Sequence, residues 1–255
     1  MSDPTFPHPL DASPTPRRES LIPKDHGGGL NRSRVWVVVP AYNEAPRIGR
    51  NIDALCSGWP NVVVVDDGST DGTSDVVRER PAWLVRHPLN LGQGAALVTG
   101  IRFALLRGAE FIVTFDADGQ HDAGDFDKLL APLASGEAEI AFGSRFLGGT
   151  RGMPGGRRLM LAAAVWVTRA LYGMSVTDAH NGLRAMTRKA AGRLRITTNR
   201  MEHASEILER VREERLSWIE VPVTVRYTEE SLAKGQRTGA AFGLGVRLIL
   251  EKLIQ

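Results

Sequence analysis

The chain has 255 residues, of which 42% are hydrophobic and 24% charged, and its formal net charge is +3. These values are ordinary for a globular protein and exclude a collagen-like or fully disordered chain. The single cysteine, Cys56, excludes an internal disulfide and favours a reducing compartment. Because the sequence has neither a run of about 18 apolar residues nor the apolar core of a signal peptide, we expect a cytoplasmic protein without a transmembrane helix.

The charges are divided unevenly along the chain. Residues 34–144 carry 9 Lys and Arg against 15 Asp and Glu, whereas residues 145–255 carry 19 against 10. An acidic region suits cation binding, and a basic region suits phosphates or an anionic membrane surface.

The predicted elements begin after residue 33. Residues 1–33 hold six of the fourteen prolines and a Gly-Gly-Gly run, which predicts a disordered Pro/Gly-rich tail. The predicted strands are 35–39, 61–65, 83–86, 111–115, 139–142 and 218–227. The predicted helices are 46–55, 74–79, 94–107, 126–134, 157–172, 201–214 and 242–254. Strands that alternate with helices predict an α/β fold with a mostly parallel sheet and helices on both faces.

Three of the predicted strands end in polar, mostly acidic segments. They are Pro-Ala-Tyr-Asn-Glu (40–44), Asp-Asp-Gly-Ser-Thr-Asp-Gly (66–72) and Asp-Ala-Asp-Gly-Gln (116–120). In an open α/β sheet, ligands bind outside the carboxyl ends of the strands. One such acid is commonly a turn former or a helix cap, but three at one sheet edge would repel each other without a cation. The sequence therefore predicts a divalent metal held by oxygen ligands and shared with substrate phosphates.

Other site types fit these segments less well. Segment 67–78 begins like an EF-hand loop, but Arg78 stands where that loop needs a bidentate acid. The segment Gly92-Gln93-Gly94 lacks the third glycine of a dinucleotide fingerprint. Asp116-x-Asp118 also resembles the nucleophile motif of haloacid-dehalogenase-type phosphatases, a family that usually has Thr or Val where Gln120 stands. That phosphatase and a non-catalytic nucleotide-sugar-binding protein remain as alternatives.

Taken together, the segments resemble family 2 glycosyltransferases. Those that carry the resemblance are Val-Val-Pro-Ala-Tyr-Asn-Glu (38–44), Val-Asp-Asp-Gly-Ser-Thr-Asp-Gly-Thr (65–73), Asn-Leu-Gly-Gln-Gly-Ala-Ala (90–96) and Asp-Ala-Asp-Gly-Gln-His (116–121). The branch most similar to this sequence contains the dolichyl-phosphate mannose synthases and the bacterial polyprenyl-phosphate glycosyltransferases. The resemblance covers about residues 34–235 and implies a GT-A domain there. For residues 236–255 the sequence pattern itself predicts a C-terminal amphipathic helix. The resemblance further implies an inverting sugar transfer from a nucleoside-diphosphate sugar that is bound with Mg²⁺ or Mn²⁺.

The same resemblance assigns site residues by position. The residues expected to bind the donor are Pro40, Ala41, Tyr42, Glu44, Val65, Asp67, Gly94, Asp116, Ala117, Asp118, Arg145, Arg226 and Lys234. The residues expected to bind the metal are Asp116, Asp118 and Gln120. Asp118 and Arg145 are the expected catalytic groups, with Asp178 as a general base where the acceptor is a hydroxyl group. The spacing from Arg226 to Lys234 is longer than in dolichyl-phosphate mannose synthases, and Gln93 stands where many relatives have lysine.

The expected acceptor is a polyprenyl phosphate, with a sugar or other hydroxyl acceptor as the alternative. A lipid phosphate is already anionic at neutral pH and needs little help from a general base. The basic region 145–255 and the 242–254 helix predict a peripheral contact with the inner face of the membrane. No nucleic-acid partner is expected.

Overall fold

The structure is a computed structural model that describes residues 30–151, 174, 176–178, 181–199 and 202–226. Several predictions lie outside the described residues: the tail up to residue 29, the helices at 157–172 and 242–254, the C-terminal segment 236–255, and Lys234.

The described secondary structure alternates between strands and helices. The strands are β1 (Val35–Ala41), β2 (Val62–Asp66), β3 (Trp83–Arg86), β4 (Phe111–Thr114), β5 (Ile140–Arg151), β6 (Arg184–Thr187) and β7 (Trp218–Arg226). The helices are α1 (Ala45–Gly58), α2 (Thr73–Arg78), α3 (Gln93–Leu106), α4 (Phe126–Ala134), α5 (Arg188–Arg193) and α6 (His203–Glu213). Short 3-10 turns at Arg32–Arg34 and Ala123–Asp125 precede β1 and α4.

The strands form one mixed sheet in the order β3-β2-β1-β4-β6-β5-β7. Strand β6 is antiparallel to both β4 and β5, and the other neighbours are parallel. The chain runs outward from β1 through β2 to β3 and then returns to the other side of β1 as β4. Such a reversal opens a crevice at the carboxyl ends of β1 and β4, where ligands of open α/β sheets bind. The predicted α/β fold with a mostly parallel sheet is confirmed.

The core consists of two apolar layers, one on each face of the sheet. Helices α1, α2 and α4 cover one face, and α3, α5 and α6 cover the other. Along β1, Val37 and Val39 belong to the first layer and Trp36 and Val38 to the second, and all four are buried. The valine-rich strands therefore contribute to both layers, because a strand covered on two faces needs apolar residues at every position.

Pro40 lies near the end of β1, at the point where β4 has already ended. The last residue of β4, Thr114, pairs with Val38, and the amide of Phe115 donates to the Val38 carbonyl. Because backbone groups of alternate residues point to opposite sides of a strand, the nitrogen of Pro40 faces the β4 side beyond this last bond. The missing N–H of proline therefore leaves no ladder bond unmade.

The second half of the sheet departs from the prediction in three ways. Strand β5 is longer than the predicted 139–142, because β7 pairs with it on both sides of a bulge between Ser144 and Gly149. Strand β6 and helix α5 were not predicted; both are short, and β6 is held by pairing with β4 and β5 rather than by a pattern of its own.

Among the described helices, none is long and apolar enough to cross a membrane.

Candidate active site

The loops that follow β1 and β2 are bonded to each other. The amide of Asn43 donates to Ser69 Oγ (2.9 Å), and the amide of Glu44 donates to Thr73 Oγ1 (2.9 Å). Asn43 adopts a φ of 53°, in the left-handed region that asparagine tolerates better than most residues. These bonds hold the predicted donor-binding segment 40–44 in place, with Glu44 buried and Tyr42 exposed at the rim.

Asp66 and Asp67 both bind groups of the protein itself. The carboxylate of Asp66 accepts from the amide of Ser69 (2.8 Å) and from the hydroxyl of Ser74, which closes the turn between β2 and α2. Val65, just before them, pairs with Pro40 on β1. Asp66 therefore shapes this turn.

Asp67 connects the end of β2 to the loop between β3 and α3. Its carboxylate accepts from the amides of Leu91 (2.9 Å) and Gly92 (2.7 Å) and lies 2.8 Å from His87 Nδ1. His87 Nε2 lies 2.9 Å from Thr99 Oγ1, so a ring protonated on Nδ1 donates to Asp67 and accepts from Thr99. Asp67 is only 2% exposed. Its predicted contact with the nucleoside stays a prediction, and its visible role is to anchor this loop.

The acidic turn after β4 is held from two neighbouring helices. Asn51 on α1 donates to the carbonyl of Ala117 (2.6 Å), and Gln93 at the start of α3 donates to Asp116 Oδ1 (3.0 Å). Within the turn, the amide of Gln120 donates to Asp118 Oδ1 (3.0 Å). The turn is thus fixed by neutral donors, which leave the negative charge of its two carboxylates in place.

The two aspartates of this turn have pKa values shifted in opposite directions. Burial opposes the ionisation of Asp116, but His121, whose Nε2 lies 3.7 Å from Asp116 Oδ2, together with Arg184 and His203, holds the pKa of Asp116 below its usual value. Burial and the nearby charge of Asp116 raise the pKa of Asp118. Repulsion between the two carboxylates therefore adds to burial in raising the pKa of Asp118.

This donor set fits a divalent cation that is shared with a ligand. Among the described residues, no group of three or more His, Cys, Asp and Glu side chains is arranged to hold a metal ion by itself. Asp116 and Asp118 nevertheless supply the oxygen donors that Mg²⁺ and Mn²⁺ prefer, and such ions usually complete their coordination with water and substrate phosphates. A bound cation would also relieve the repulsion that raises the pKa of Asp118.

On the other side of β4, Asp178 forms a buried ion pair with Arg145. Asp178 Oδ2 accepts from Arg145 Nε (2.6 Å), from the Arg145 amide (3.0 Å) and from Asn181 Nδ2 (3.2 Å). Asp178 is 3% exposed and Arg145 is 8% exposed. Charge-assisted bonds of this kind are strong and orient the guanidinium. In this arrangement the Asp178 carboxylate is committed to Arg145, which is a poor starting point for a general base.

A second carboxylate supports that pair from β7. Glu220 Oε1 accepts from the amides of Thr177 (2.7 Å) and Asp178 (3.1 Å) and from the Thr177 hydroxyl (3.0 Å). The Thr177 hydroxyl also lies 2.6 Å from Ser144 Oγ, next to Arg145. Glu220 therefore fixes the backbone that presents Asp178.

The start of α3 is covered by a loop of the chain itself. The Gly94 amide donates to the Asn199 carbonyl (2.8 Å), and a Cβ at Gly94 would overlap the carbonyl oxygen of Thr198. Glu206 on α6 holds this loop by accepting from the amides and hydroxyls of Thr197 and Thr198 at 2.6–3.0 Å. This close approach accounts for a glycine at position 94, and the predicted donor contact of Gly94 stays a prediction.

Arg226 ends β7 beside the acidic turn. Its amide donates to the Gln120 carbonyl (2.9 Å), and its guanidinium lies 2.8 Å from Asp122 Oδ2 on the surface. The structure thus brings Arg226 next to Gln120, as expected for residues of one site.

Several supporting residues were missed from the sequence. They are Asn51, Arg184, Glu206 and Glu220, whose partners lie 8 to 66 residues away where a bond is described. Asn51 and Glu206 lie on helices, and Arg184 and Glu220 lie on strands. No local sequence pattern reveals the tertiary neighbours of these residues. Arg184 and Glu206 are buried charged side chains, a signal that becomes visible only in the fold.

The comparison with known sequence families decides the assignment. Residues 36–195 match the family described as Glycosyl transferase family 2. The chain belongs to glycosyltransferase family 2. It is therefore an enzyme that transfers sugar groups, which removes the phosphatase and the non-catalytic binding protein from consideration.

Full-length relatives support the same family. An uncharacterised protein of Methanocaldococcus jannaschii is 37% identical over 229 residues, which cover 88% of this chain and 94% of that protein. The UDP-N-acetylglucosamine–dolichyl-phosphate N-acetylglucosaminyltransferase of Methanococcus voltae is 31% identical over 86% of this chain and 96% of its own. The polyprenol monophosphomannose synthase of Mycolicibacterium smegmatis is 30% identical over 81% of this chain and 82% of its own.

Solved glycosyltransferases share the fold. The glucosyl-3-phosphoglycerate synthase of Mycobacterium tuberculosis, crystallised with Mn²⁺, UDP and its product, matches with a TM-score of 0.62. The match has 22% identity and covers 86% of this chain and 85% of that one. The expected GT-A fold of this family 2 glycosyltransferase is thereby confirmed.

Proposed function

We propose that this glycosyltransferase moves a sugar, with inversion at the anomeric carbon, from a nucleoside-diphosphate sugar to a polyprenyl phosphate with the help of Mg²⁺ or Mn²⁺. The relatives in Methanococcus voltae and Mycolicibacterium smegmatis carry names that specify dolichyl-phosphate or polyprenol acceptors. The solved neighbour was crystallised with Mn²⁺ and UDP.

The observation that carries the choice of acceptor is the ion pair between Asp178 and Arg145. A hydroxyl acceptor needs a base to remove its proton, and Asp178 is the candidate for that role. Its Oδ2 instead binds Arg145 Nε at 2.6 Å and two further donors. A phosphate acceptor reacts through an oxygen that is already anionic, so it needs an oriented arginine more than a base. The pairing supports an acceptor that brings its own negative charge.

The acidic turn is the proposed place of the donor diphosphate. Asp116 and Asp118, with Gln120, would hold the cation, which supplies Lewis-acid neutralisation of the charge that develops on the leaving diphosphate. Segment 40–44, Val65 and Asp67 border the crevice on the β1 and β2 side, where the nucleoside is proposed to lie. Lys234 is proposed as a further donor contact from outside the described residues.

In the proposed step, an oxygen of the lipid phosphate attacks the anomeric carbon from the face opposite the diphosphate. The new carbon–oxygen bond forms as the bond to the diphosphate breaks, and the leaving group keeps the electron pair. Arg145, oriented by Asp178, is proposed to hold a phosphate oxygen in line with the carbon, as a guanidinium with a fixed plane can. Arg226, beside Gln120, is proposed to contact the diphosphate from the surface side.

The proposal includes a peripheral contact with the membrane that contains the acceptor. It is supported by the 19 basic against 10 acidic residues of 145–255. Binding to anionic vesicles that weakens as salt is raised is the expected result, and binding that is equally weak on neutral and anionic vesicles would contradict this part of the proposal.

The test is a transfer assay with purified protein, MnCl₂ and labelled UDP-N-acetylglucosamine, UDP-glucose or GDP-mannose. The acceptors are undecaprenyl phosphate, the matching polyprenol without phosphate, and free sugars. We expect label to enter the lipid phase with one donor and with the phosphorylated lipid, and the product to have the inverted anomeric configuration by NMR.

Two variants define the controls. Asp118→Asn removes a proposed cation ligand and should abolish transfer, whereas Asp127→Asn changes an exposed carboxylate on α4 and should leave it intact. Transfer to a sugar or to the polyprenol hydroxyl, with none to the lipid phosphate, would support the hydroxyl-acceptor alternative and overturn the proposed acceptor.

A further inference from the structure

Arg184 is a buried arginine at the first position of β6. It is 2% exposed and is among the largest of the fully buried side chains. Arginine is almost never buried to this extent unless a counter-charge is near. Its surroundings therefore indicate what its charge does.

The strand register places Arg184 between the two sides of the site. It pairs with Thr114 on β4, two residues before Asp116, and with Phe142 on β5, three residues before Arg145. Gly182, just ahead of Arg184, approaches Asp116 so closely that a Cβ there would overlap its carboxylate. The start of β6 thus lies directly against the acidic turn.

The charge of Arg184 acts on two aspartates, Asp116 in the acidic turn and Asp178 in the ion pair with Arg145. Burial lowers the pKa of Arg184, and the negative charges of Asp116 and Asp178 raise it again. A guanidinium stays protonated in proteins, so the charge is present at neutral pH.

Both aspartates receive their direct hydrogen bonds from other residues. Asp116 binds Gln93, and Asp178 binds Arg145 and Asn181. The buried Nη1 of Arg184 has no hydrogen-bond partner among the residues that the structure describes. Arg184 is therefore not committed to either carboxylate by a bond at this atom, and it acts on both through its charge.

We propose that Arg184 is an internal counter-charge that keeps divalent-cation binding at the acidic turn weak until the donor diphosphate arrives. The inference rests on the proposed function, because it assumes that Asp116 holds the cation. A cation that binds alone is repelled by the guanidinium beneath the turn. A cation that binds together with a diphosphate is accompanied by negative charge, so the same guanidinium no longer opposes it. Arg184 should therefore weaken binding of the cation alone, favour the diphosphate, and have little net effect on the two bound together.

Arg184 is buried and acts through its charge at Asp116, so it is a positioning residue and not a catalytic one. Damage to the fold would weaken cation binding or leave it unchanged. Loss of the counter-charge has the opposite effect, a gain in affinity for the cation alone. That sign separates the proposed role from a merely structural one.

The experiment measures free Mn²⁺ by electron paramagnetic resonance at pH 8, with and without UDP or GDP. In the wild type, Mn²⁺ alone should bind weakly and nucleotide should tighten it about tenfold or more, as for a full charge acting at short range. Arg184→Met should bind Mn²⁺ alone about tenfold more tightly. Arg184→Lys should fall between the wild type and Arg184→Met, because a buried ammonium loses its proton more readily than a guanidinium.

Further arms keep the outcome interpretable. Met186→Leu is the matched control, because it changes a buried side chain on the same strand without changing charge. Arg184→Gln replaces the methionine variant if the latter does not fold. Unchanged or weaker Mn²⁺ binding in the neutral variants would overturn the inference alone. A wild type that binds no nucleotide with Mn²⁺ would instead overturn the proposed function.

Discussion

Two buried acids near the candidate site, Asp67 and Asp178, are held in different ways. In the half formed by β1–β4, Asp67 is held by two backbone amides and a histidine. In the half formed by β5–β7, Asp178 is paired with a buried arginine. Neutral donors orient an acid without cancelling its charge, whereas an arginine does both.

This difference suits the proposed site, in which a cation and an anionic acceptor would bind at one sheet edge. The first half keeps a negative field where two further acids, Asp116 and Asp118, come together. The second half presents the guanidinium of Arg145 beside Asp178, and residues 145–255 carry a basic excess in the sequence. The lesson is that the partner of a buried acid, and not the acid alone, sets the sign of the local field.

The largest expected effect comes from Asp118→Asn. Loss of this carboxylate should lower kcat by about a thousandfold, as expected when a group that stabilises developing charge is removed. Because burial and Asp116 raise the pKa of Asp118, the folded state favours its protonated form, and the wild type loses stability as pH rises through that pKa. A neutral residue should therefore raise the metal-free melting temperature at pH 7, measured by calorimetry. A melting temperature below that of the wild type would contradict the proposed repulsion.

A smaller effect is expected from Glu206→Gln, which tests a carboxylate held by neutral donors in the second half. Burial opposes ionisation, but the bonds from Thr197 and Thr198 lower the pKa of Glu206 to about 2. Its stabilisation is present above the unfolded pKa of about 4.5 and is lost as pH falls towards 2. The variant should lose about 3 kcal/mol of unfolding free energy at pH 7.

Urea unfolding at pH 7 and at pH 3 measures this effect. The gap between wild type and variant should narrow at the lower pH. Glu209→Gln, an exposed change on the same helix, is the control and should stay close to the wild type at both values. A gap that is equal at the two pH values would show that Glu206 acts without its charge.

The smallest effect is expected from Gly94→Ala. The added methyl group meets the Thr198 carbonyl, so the loop that covers α3 must move, at a cost of about 1–3 kcal/mol in unfolding free energy. Gly192→Ala on α5 is the matched control, because its Cβ meets no atom within 4 Å, and it should stabilise the helix by about 0.5–1 kcal/mol. An unchanged stability in Gly94→Ala, together with lost nucleotide binding, would favour the donor contact over the packing role.

The sequence predicts the first half of the molecule better than the second, for a physical reason. Strands β1, β2 and β4 are valine- or isoleucine-rich runs buried on both faces, and the acids that follow them mark the site edge. Strand β6 has four residues with arginine and methionine among them, and its partners on β4 and β5 lie tens of residues away. Pairing with those strands, and not local propensity, decides its conformation.

The site follows the same rule. The acids of the turn at 116–120 are recognisable because their motif is local. Asn51 contacts Ala117, 66 residues away, and Glu220 contacts Thr177, 43 residues away, so their spacing in the sequence does not predict these roles. Asp178 is recognisable as an acid, but its partner Arg145, 33 residues earlier, changes what that acid can do.

Pro40 has a consequence for the ligand-free enzyme. Pairing between β1 and β4 can be extended only by a further backbone hydrogen bond, and the next one would need an N–H at Pro40. Proline has no N–H to donate, so the ladder ends with the hydrogen bond from the Phe115 amide to the Val38 carbonyl. Any further pairing of β1 with β4 across the crevice would therefore have to do without this donor.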